Sequence, residues 1–128
     1  MSHFLLSAEA NFAAAHTLPG VATCERLHGH NWRVRLTARL EEQDLDHGGM
    51  GVDFRLIEEA LQSAIEEFDH RYLNDLEPFR DRPPTAERIA QVVYGRVAPA
   101  IAERAPAARI VEIELWETPA YRVSYRPD

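Results

Sequence analysis

Three histidines have the types and the spacing expected of a metal site. His28 and His30 lie two residues apart in a stretch whose alternation predicts a β-strand, so their side chains point the same way. His16 ends the apolar face of an earlier predicted strand. If the two strands pair, three imidazoles meet at one end of a sheet. Three nitrogen ligands suit Zn²⁺ and leave one coordination position open for a substrate.

An ordinary role is the usual explanation for any one histidine taken alone. Three neutral imidazoles buried together are different, because each buried nitrogen needs a partner and a metal ion supplies one. His28 and His30 also have the parity of Trp32 and Val34, which indicates that they point toward the core. The spacing alone leaves a catalytic metal centre and three ordinary histidines open.

Cys24, the only cysteine, lies four positions before His28. Thr23, Glu25 and Arg26 flank it, so it falls in a polar loop rather than in a core. It could be a fourth zinc ligand, a small buried hydrophobe or a reactive thiol. A thiol close to Zn²⁺ and to an arginine would ionise more readily and could act as a base. The spacing alone leaves ligand and base open.

Two further groups carry carboxylates. Asp69 precedes His70 and could orient its imidazole and stabilise the charged form, although a solvated helix end is the more usual explanation for such a pair. Glu117 ends the apolar face of a predicted strand, where a buried carboxylate would need hydrogen-bond donors. Pterins and guanines offer such donors, an N–H and an amino group side by side. A frayed strand end in solvent is the plainer alternative.

Four alternating stretches predict the strands that would position these residues: 3–16, 28–41, 109–117 and 121–125. In the second stretch, apolar residues alternate with arginines and a threonine, which is typical of a half-buried antiparallel sheet. The residues expected on the apolar face of the third stretch are Val111, Ile113 and Leu115. Pro119 marks the turn into the last strand.

Two helices are predicted between the second and third strands. Asp53 is a plausible N-cap for a helix over 54–68. The residues expected on its buried face are Phe54, Ile57, Leu61, Ile65 and Phe68. The second helix begins after Pro83-Pro84-Thr85, and Pro99 should kink or shorten it. Thr85 and Glu87 suit a helix start, as a hydroxyl cap and an acid near the positive end of the helix dipole.

Composition excludes several classes of function. The net charge of −7 disfavours general nucleic-acid binding. All 14 basic residues are arginines, so neither a lysine Schiff base nor a Walker-type phosphate loop is possible. No run of 18 apolar residues exists, which excludes a membrane-spanning helix. With one cysteine and no signal-peptide pattern, we expect a cytoplasmic protein that forms a single domain over residues 1–128.

Six short motifs occur in an order that resembles the 6-pyruvoyltetrahydropterin synthase family. They are Phe12-Ala13-Ala14-Ala15-His16, Cys24-Glu25-Arg26-Leu27-His28-Gly29-His30-Asn31, Asp53-Phe54, Asp69-His70-Arg71-Tyr72-Leu73-Asn74, Pro84-Thr85-Ala86-Glu87 and Trp116-Glu117-Thr118. The resemblance covers essentially the whole chain. Three departures from the family pattern, none of which removes a functional side chain, are Trp32, Phe68 and Arg88.

The resemblance implies an α+β tunnelling fold (T-fold): a four-stranded antiparallel sheet with two helices on one face, in the order β-β-α-α-β-β. Subunits of this family join their sheets around a ring, commonly as trimers or hexamers, with active sites at subunit interfaces. The zinc ligands implied are His16, His28 and His30. The catalytic residues implied are Cys24, Asp69, His70 and Glu117, and the pterin-binding residues implied are Glu117, Thr85 and Glu87.

Within the family, the three residues between Cys24 and His28 are similar to the bacterial 6-carboxy-5,6,7,8-tetrahydropterin synthase branch of queuosine (7-deazapurine) biosynthesis. That resemblance implies a zinc lyase that converts 7,8-dihydroneopterin triphosphate to 6-carboxy-5,6,7,8-tetrahydropterin, acetaldehyde and triphosphate. Cys24 would accept a proton, and Asp69 with His70 would form a relay. The alternatives are a 6-pyruvoyl synthase that only eliminates triphosphate, a non-catalytic zinc module closed by Cys24, and a GTP cyclohydrolase-like member of the fold.

Overall fold

A sheet of five strands organises the chain in the computed structural model, which describes residues 2–21 and 25–128. The helices and strands, in chain order, are β1 (His3–His16), β2 (His28–Glu41), α1 (Phe54–Ile65), β3 (Arg71–Tyr72), α2 (Ala86–Arg104), β4 (Arg109–Thr118) and β5 (Tyr121–Tyr125). The strand order in the sheet is β3-β1-β2-β4-β5. The α+β class and the order of the four long strands and two helices are confirmed.

The sheet is mixed rather than purely antiparallel. β1, β2, β4 and β5 pair antiparallel, but β3 lies parallel to β1, with Arg71 opposite Ala14 and Tyr72 opposite Ala15. The prediction of four strands was therefore wrong by one strand at the edge. A strand of two residues is too short to show an alternating pattern in the sequence.

The core lies between one face of the sheet and the two helices. In β2, the side chains on that face are fully or almost fully buried: Trp32, Val34, Leu36, Ala38 and Leu40. α1 packs on β1 while α2 packs on β4, and the helices contact each other. Each large apolar side chain fully buried there contributes about 1.5–3 kcal/mol. This layer fixes the sheet face on which the three histidines lie.

A β-bulge corrects one predicted face. Thr37 pairs with Glu112 and Ala38 pairs with Ile110, which leaves Val111 as the extra residue on β4. Ile110 is therefore buried on the core face, whereas Val111 is only partly buried. Alternation predicted from one end of the strand cannot locate such an inserted residue.

The helices begin as predicted but differ in extent. The Asp53 carboxylate accepts a hydrogen bond from the backbone N–H of Arg55 at 2.9 Å and caps α1. α1 ends at Ile65, and a 3₁₀ turn continues to the buried Phe68. Phe54 is 60% exposed, so its predicted place on the buried face was wrong. α2 continues through Pro99 to Arg104, so the proline does not end it.

None of the helices in the described part of the chain combines the length and apolarity needed to cross a bilayer.

The opposite face of the sheet carries paired charges. Glu114 is only 2% exposed, and its carboxylate accepts hydrogen bonds from Arg35 at 2.7 Å and from Arg122. The Arg33 guanidinium lies 3.8 Å from the centre of the Trp116 ring. A carboxylate this deeply buried requires such donors, and together these contacts hold the end of β4 that precedes Glu117.

Candidate metal centre and its surroundings

Strand register brings the three histidines together. His16 at the end of β1 lies directly opposite His28 at the start of β2, and Ala14 lies opposite His30. The three side chains therefore share one face at one end of the sheet. Their ring centres are 4.5 Å apart for His16 and His28, 4.9 Å for His28 and His30, and 5.3 Å for His16 and His30. One potential ligand atom from each lies within 4.8 Å of the others.

Main-chain carbonyls orient two of these rings. His16 Nδ1 lies 2.9 Å from the carbonyl oxygen of Pro84, and His28 Nδ1 lies 2.7 Å from that of Arg26. A carbonyl oxygen can only accept, so each Nδ1 carries a proton, and in the neutral form of each ring Nε2 presents a lone pair. Metal-bound histidines have this arrangement, in which the outer nitrogen donates to a carbonyl or carboxylate.

Two of the three inner nitrogens receive no hydrogen bond from the described part of the chain. Within the described residues, Nε2 of His16 and Nε2 of His30 are buried without a hydrogen-bond partner. The nearest charged group is the Glu117 carboxylate, 3.8 Å from His16 Nε2 and 3.7 Å from His30 Nε2. Imidazole lone pairs and a carboxylate all require a positive or proton-donating partner. The residues present therefore fit a bound cation.

Burial favours the protonation state that binds a metal. Removal from solvent lowers the pKa of His16 below its ordinary value of 6.5, and it lowers the pKa of His30 in the same way. In each case the Glu117 carboxylate opposes the shift without reversing it. Both rings are thus held neutral near pH 7, the form in which imidazole is a ligand.

Trp32 forms the inner wall of the centre. It is fully buried, and its ring contacts His16 and His30 edge-on, with ring centres 5.2 and 5.3 Å apart. Its indole N–H donates to the carbonyl of Ala14 at 3.3 Å, which leaves no polar atom of Trp32 directed at the imidazoles. This wall closes the core side, so a ligand must approach from the end of the sheet.

The Glu117 carboxylate lies beside two of the three histidines, a closeness that its predicted role in binding the pterin does not require. Its side chain is 28% exposed, so the carboxylate faces the imidazoles on one side and solvent on the other. The pairing of β4 with β5 is irregular between Trp116 and Thr118, at the position of Glu117. This bulge places the carboxylate at the rim of the centre.

Asp69 and His70 form a pair just before β3, which lies along the edge of β1 opposite to β2. Asp69 accepts a hydrogen bond from the backbone N–H of Ala13 at 2.9 Å, and its second oxygen lies 3.1 Å from His70 Nδ1. The Ala13 bond, followed by the His70 contact, lowers the pKa of the Asp69 carboxyl. His70 has φ of 61° and a side chain that is 82% exposed. It lines an open cavity of about 320 Å³ together with His30.

Thr85 and Glu87 line a second cavity, of about 430 Å³, between the start of α2 and β5. The Thr85 hydroxyl accepts a hydrogen bond from the backbone N–H of Arg88 at 3.1 Å, so it caps α2 as predicted. Within one chain, the three histidines therefore lie with Glu117, His70 of the Asp69–His70 pair shares a cavity with His30, and Thr85 and Glu87 line a different cavity at the start of α2. Cys24 lies outside the described residues.

Sequence reasoning missed the groups that hold the centre in place. The carbonyls of Pro84 and Arg26 are backbone atoms, which no residue pattern identifies. The amide side chain of Asn74 bonds to both backbone groups of Thr17, next to His16. The only available signal was the position of Asn74 at the end of a recognised motif.

The chain is similar to known proteins along almost its whole length. The family model described as 6-pyruvoyl tetrahydropterin synthase matches residues 5–128. The chain is 31% identical to the 6-carboxy-5,6,7,8-tetrahydropterin synthase of Bacillus subtilis, over 97% of this chain and 86% of that protein. It is 32% identical to the protein of the same name from Synechocystis, over 90% of this chain and 87% of that protein.

Solved structures share the fold. The 6-pyruvoyl tetrahydropterin synthase of Caenorhabditis elegans superposes with a TM-score of 0.84 at 22% identity, covering 100% of this chain and 98% of that one. At this identity the likeness concerns the fold alone, and it matches the predicted T-fold.

Proposed function

The chain belongs to the 6-pyruvoyl tetrahydropterin synthase family, and on this premise we propose that it is a zinc-dependent 6-carboxy-5,6,7,8-tetrahydropterin synthase. Its substrates would be 7,8-dihydroneopterin triphosphate and one water molecule, and its products 6-carboxy-5,6,7,8-tetrahydropterin, acetaldehyde and triphosphate. The names of the bacterial relatives and the short spacing between Cys24 and His28 support this branch. We place the activity in the cytoplasm, in the pathway to queuosine and related 7-deazapurines.

The convergence of three imidazoles beside a carboxylate carries the proposal. His16, His28 and His30 would hold Zn²⁺, because their inner nitrogens lie together and those of His16 and His30 are buried with no hydrogen-bond partner among residues 2–21 and 25–128. When bound, the ion would supply Lewis acidity toward oxygen atoms of the substrate side chain. Neutral imidazoles on rigid strands are the ligands and the support that such a site needs.

Glu117 would recognise the pterin ring. Its carboxylate is partly exposed at the rim and can accept hydrogen bonds from the N–H and amino group of the guanidine-like edge. The 3.7 Å and 3.8 Å distances to His30 and His16 keep that carboxylate beside the centre, where it could also receive a proton. Thr85 and Glu87 would help hold the ring from the start of α2.

Proton transfer would fall to Cys24 and to the Asp69–His70 pair. The Cys24 thiolate would remove a proton from the substrate side chain. Asp69, kept ionised by its hydrogen bonds, would stabilise the His70 imidazolium through Nδ1 and leave Nε2 to carry a proton. Loss of triphosphate and retro-aldol-type cleavage of the side chain would then release acetaldehyde.

An assembly of subunits would complete the site. The His70 ring is 82% exposed, and the cavity that Thr85 and Glu87 line is distinct from the one that His70 and His30 line. We propose that a trimer or hexamer brings groups from neighbouring chains together, as is typical of this family. The pterin triphosphate would be the only ligand besides the metal; the net charge of −7 disfavours nucleic acid.

Product analysis tests the reaction. Zinc-loaded protein incubated with 7,8-dihydroneopterin triphosphate should yield the 6-carboxy product and acetaldehyde, both measured by mass spectrometry. A product that has lost triphosphate but retains its full carbon side chain would identify a 6-pyruvoyl synthase instead. Absence of any conversion would contradict both.

A substitution separates the enzyme from a zinc module. Cys24→Ala should abolish turnover while the protein still binds Zn²⁺ with unchanged affinity, because the three imidazoles remain. Cys24→Ser is the matched control for the size of the side chain. If Cys24→Ala instead weakens zinc binding strongly, the thiol is a closing ligand and the catalytic role assigned to it is wrong.

A further inference from the structure

All hydrogen-bonding groups of Thr17, the residue after His16, are engaged. The Asn74 side-chain oxygen accepts from the Thr17 backbone N–H at 2.9 Å, and its amide nitrogen donates to the Thr17 carbonyl at 3.0 Å. The Thr17 hydroxyl lies 2.9 Å from the Tyr72 hydroxyl. We name these contacts the Thr17 clamp. A side chain thus replaces the backbone pairing that β1 loses where it ends.

The Thr17 clamp is the last in a series of contacts between residues 69–74 and the end of β1. Asp69 accepts from the Ala13 N–H, Arg71 and Tyr72 pair with Ala14 and Ala15 as β3, and Asn74 then bonds Thr17. The segment 69–74 therefore follows β1 along its last residues, from the Asp69–His70 pair to the end of the strand. The Thr17 clamp is its final attachment, directly beside a buried imidazole.

The end of β1 depends on this attachment. After Thr17 the chain turns through Gly20, which has φ of 85°, and the Gly20 N–H donates to the exposed Glu25 side chain at 3.2 Å. Strand ends with few partners open locally at little free-energy cost. Among the described residues, the His16 side chain has one hydrogen bond, to the Pro84 carbonyl. The position of its Nε2 thus depends on whether the adjacent backbone is fixed.

We propose that Asn74 is a positioning residue for the metal centre: by clamping Thr17 it fixes the direction from which His16 Nε2 meets the ion. This inference rests on the proposed function only in that the three histidines bind a metal. Asn74 touches neither the imidazoles nor the substrate, so its effect passes through Thr17. It connects the segment that carries Asp69 and His70 to the metal ligand at the end of β1.

Metal affinity and geometry test the proposal without substrate. Asn74→Ala should weaken Zn²⁺ binding about tenfold, measured by competition with a chromogenic chelator, since outer partners of metal ligands have effects of that order. The visible absorption of the Co²⁺-loaded protein should also change, because it reports ligand geometry. Asn74→Asp keeps the acceptor for the Thr17 N–H but sets a carboxylate oxygen against the Thr17 carbonyl, and should weaken binding similarly.

Two further variants grade the effect. Tyr72→Phe removes one bond of the Thr17 clamp and keeps both bonds from Asn74, so its loss of zinc affinity should be smaller than that of Asn74→Ala. Asp53→Ala is the matched control. It also removes a side chain that accepts from a backbone N–H at 2.9 Å, but this bond lies at the N-terminal end of α1, outside the segments that form the Thr17 clamp. It should lower stability without changing zinc affinity or the cobalt spectrum.

The result that overturns the proposal is specific. If Asn74→Ala and Asn74→Asp lower the midpoint of unfolding but bind Zn²⁺ with wild-type affinity and keep the wild-type Co²⁺ spectrum, Asn74 serves stability alone. If Asn74→Ala does not fold, as judged by circular dichroism, the same comparison is made with Asn74→Asp and Tyr72→Phe. A wild-type protein that binds zinc but lacks synthase activity would refute the proposed reaction and leave this comparison decisive.

Discussion

Replacing His30 with phenylalanine should separate stability from metal binding. His30 contributes one of the two buried imidazole nitrogens that lack a partner in the described residues, and only 17% of its side chain is exposed. A buried polar group without a hydrogen bond costs about 1–3 kcal/mol. A ring of similar size without that nitrogen removes the cost and keeps the packing against Trp32. Metal-free His30→Phe should therefore be at least as stable as the metal-free wild type.

Added Zn²⁺ should make the wild type more stable than His30→Phe. A ligand present at 100 times its dissociation constant stabilises the folded state by about 2.7 kcal/mol. For a chain of 128 residues that corresponds to a rise in Tm on the order of 10 °C. The wild type should show this rise on adding Zn²⁺, and His30→Phe should lose it because the ion keeps only two of its three imidazoles.

Scanning calorimetry with chelator and with Zn²⁺, at one protein concentration, measures both effects. His47→Phe is the matched control, since His47 is exposed and lies in the loop before α1. It should retain the full zinc response. The reasoning is refuted if metal-free His30→Phe is more than about 1 kcal/mol less stable than the wild type, or if it keeps the wild-type response to zinc.

Three other predictions concern packing, pH and metal removal. Gly51→Ala should lower the free energy of unfolding by about 1–3 kcal/mol, because the added Cβ would clash with a side-chain carbon of the buried Leu40. Gly95→Ala in α2, where the added Cβ meets no neighbouring atom of the described residues within 4 Å, should raise it by about 0.5–1 kcal/mol, and denaturant titration measures both. Asp69→Asn should destabilise the protein at pH 7, but the difference from wild type should shrink as pH falls below about 4, because the lowered pKa of Asp69 gives stability that is present above its unfolded value and lost through its folded value. A difference at pH 3 as large as that at pH 7 would contradict this account of its bond to Ala13. Dialysis against a chelator should abolish synthase activity, and Zn²⁺ should restore it.

Much of the fold follows from the sequence because its strands are half-buried. In β1 and β2 the apolar residues alternate with polar ones, so the bounds 3–16 and 28–41 could be predicted to the residue. The same alternation put His16, His28 and His30 on one face, and pairing of the strands was enough to bring them together. Helix starts were equally accessible, because Asp53 and Thr85 are side chains that cap helices.

What the sequence could not supply depends on tertiary structure. β3 has two residues, which is below the length at which periodicity is visible. The bulge at Val111 changes which residue faces the core without leaving a pattern in the apolar residues. Phe54 satisfies the helical spacing but lies in the first turn of α1, where it is exposed. The closeness of Glu117 to two imidazoles depended on strand register and on a second bulge.

Backbone atoms, which a substitution does not remove, determine which ring nitrogen carries the proton in two histidines of the candidate metal centre. Both outer nitrogens with an assigned acceptor, on His16 and His28, bond to peptide oxygens rather than to side chains. Residues 84 and 26 can therefore vary in identity while each ring keeps its tautomer, provided the chain follows the same path. Redesign of the site for another metal would have to alter that path, since exchanging neighbouring side chains leaves the orientation of these two ligands unchanged.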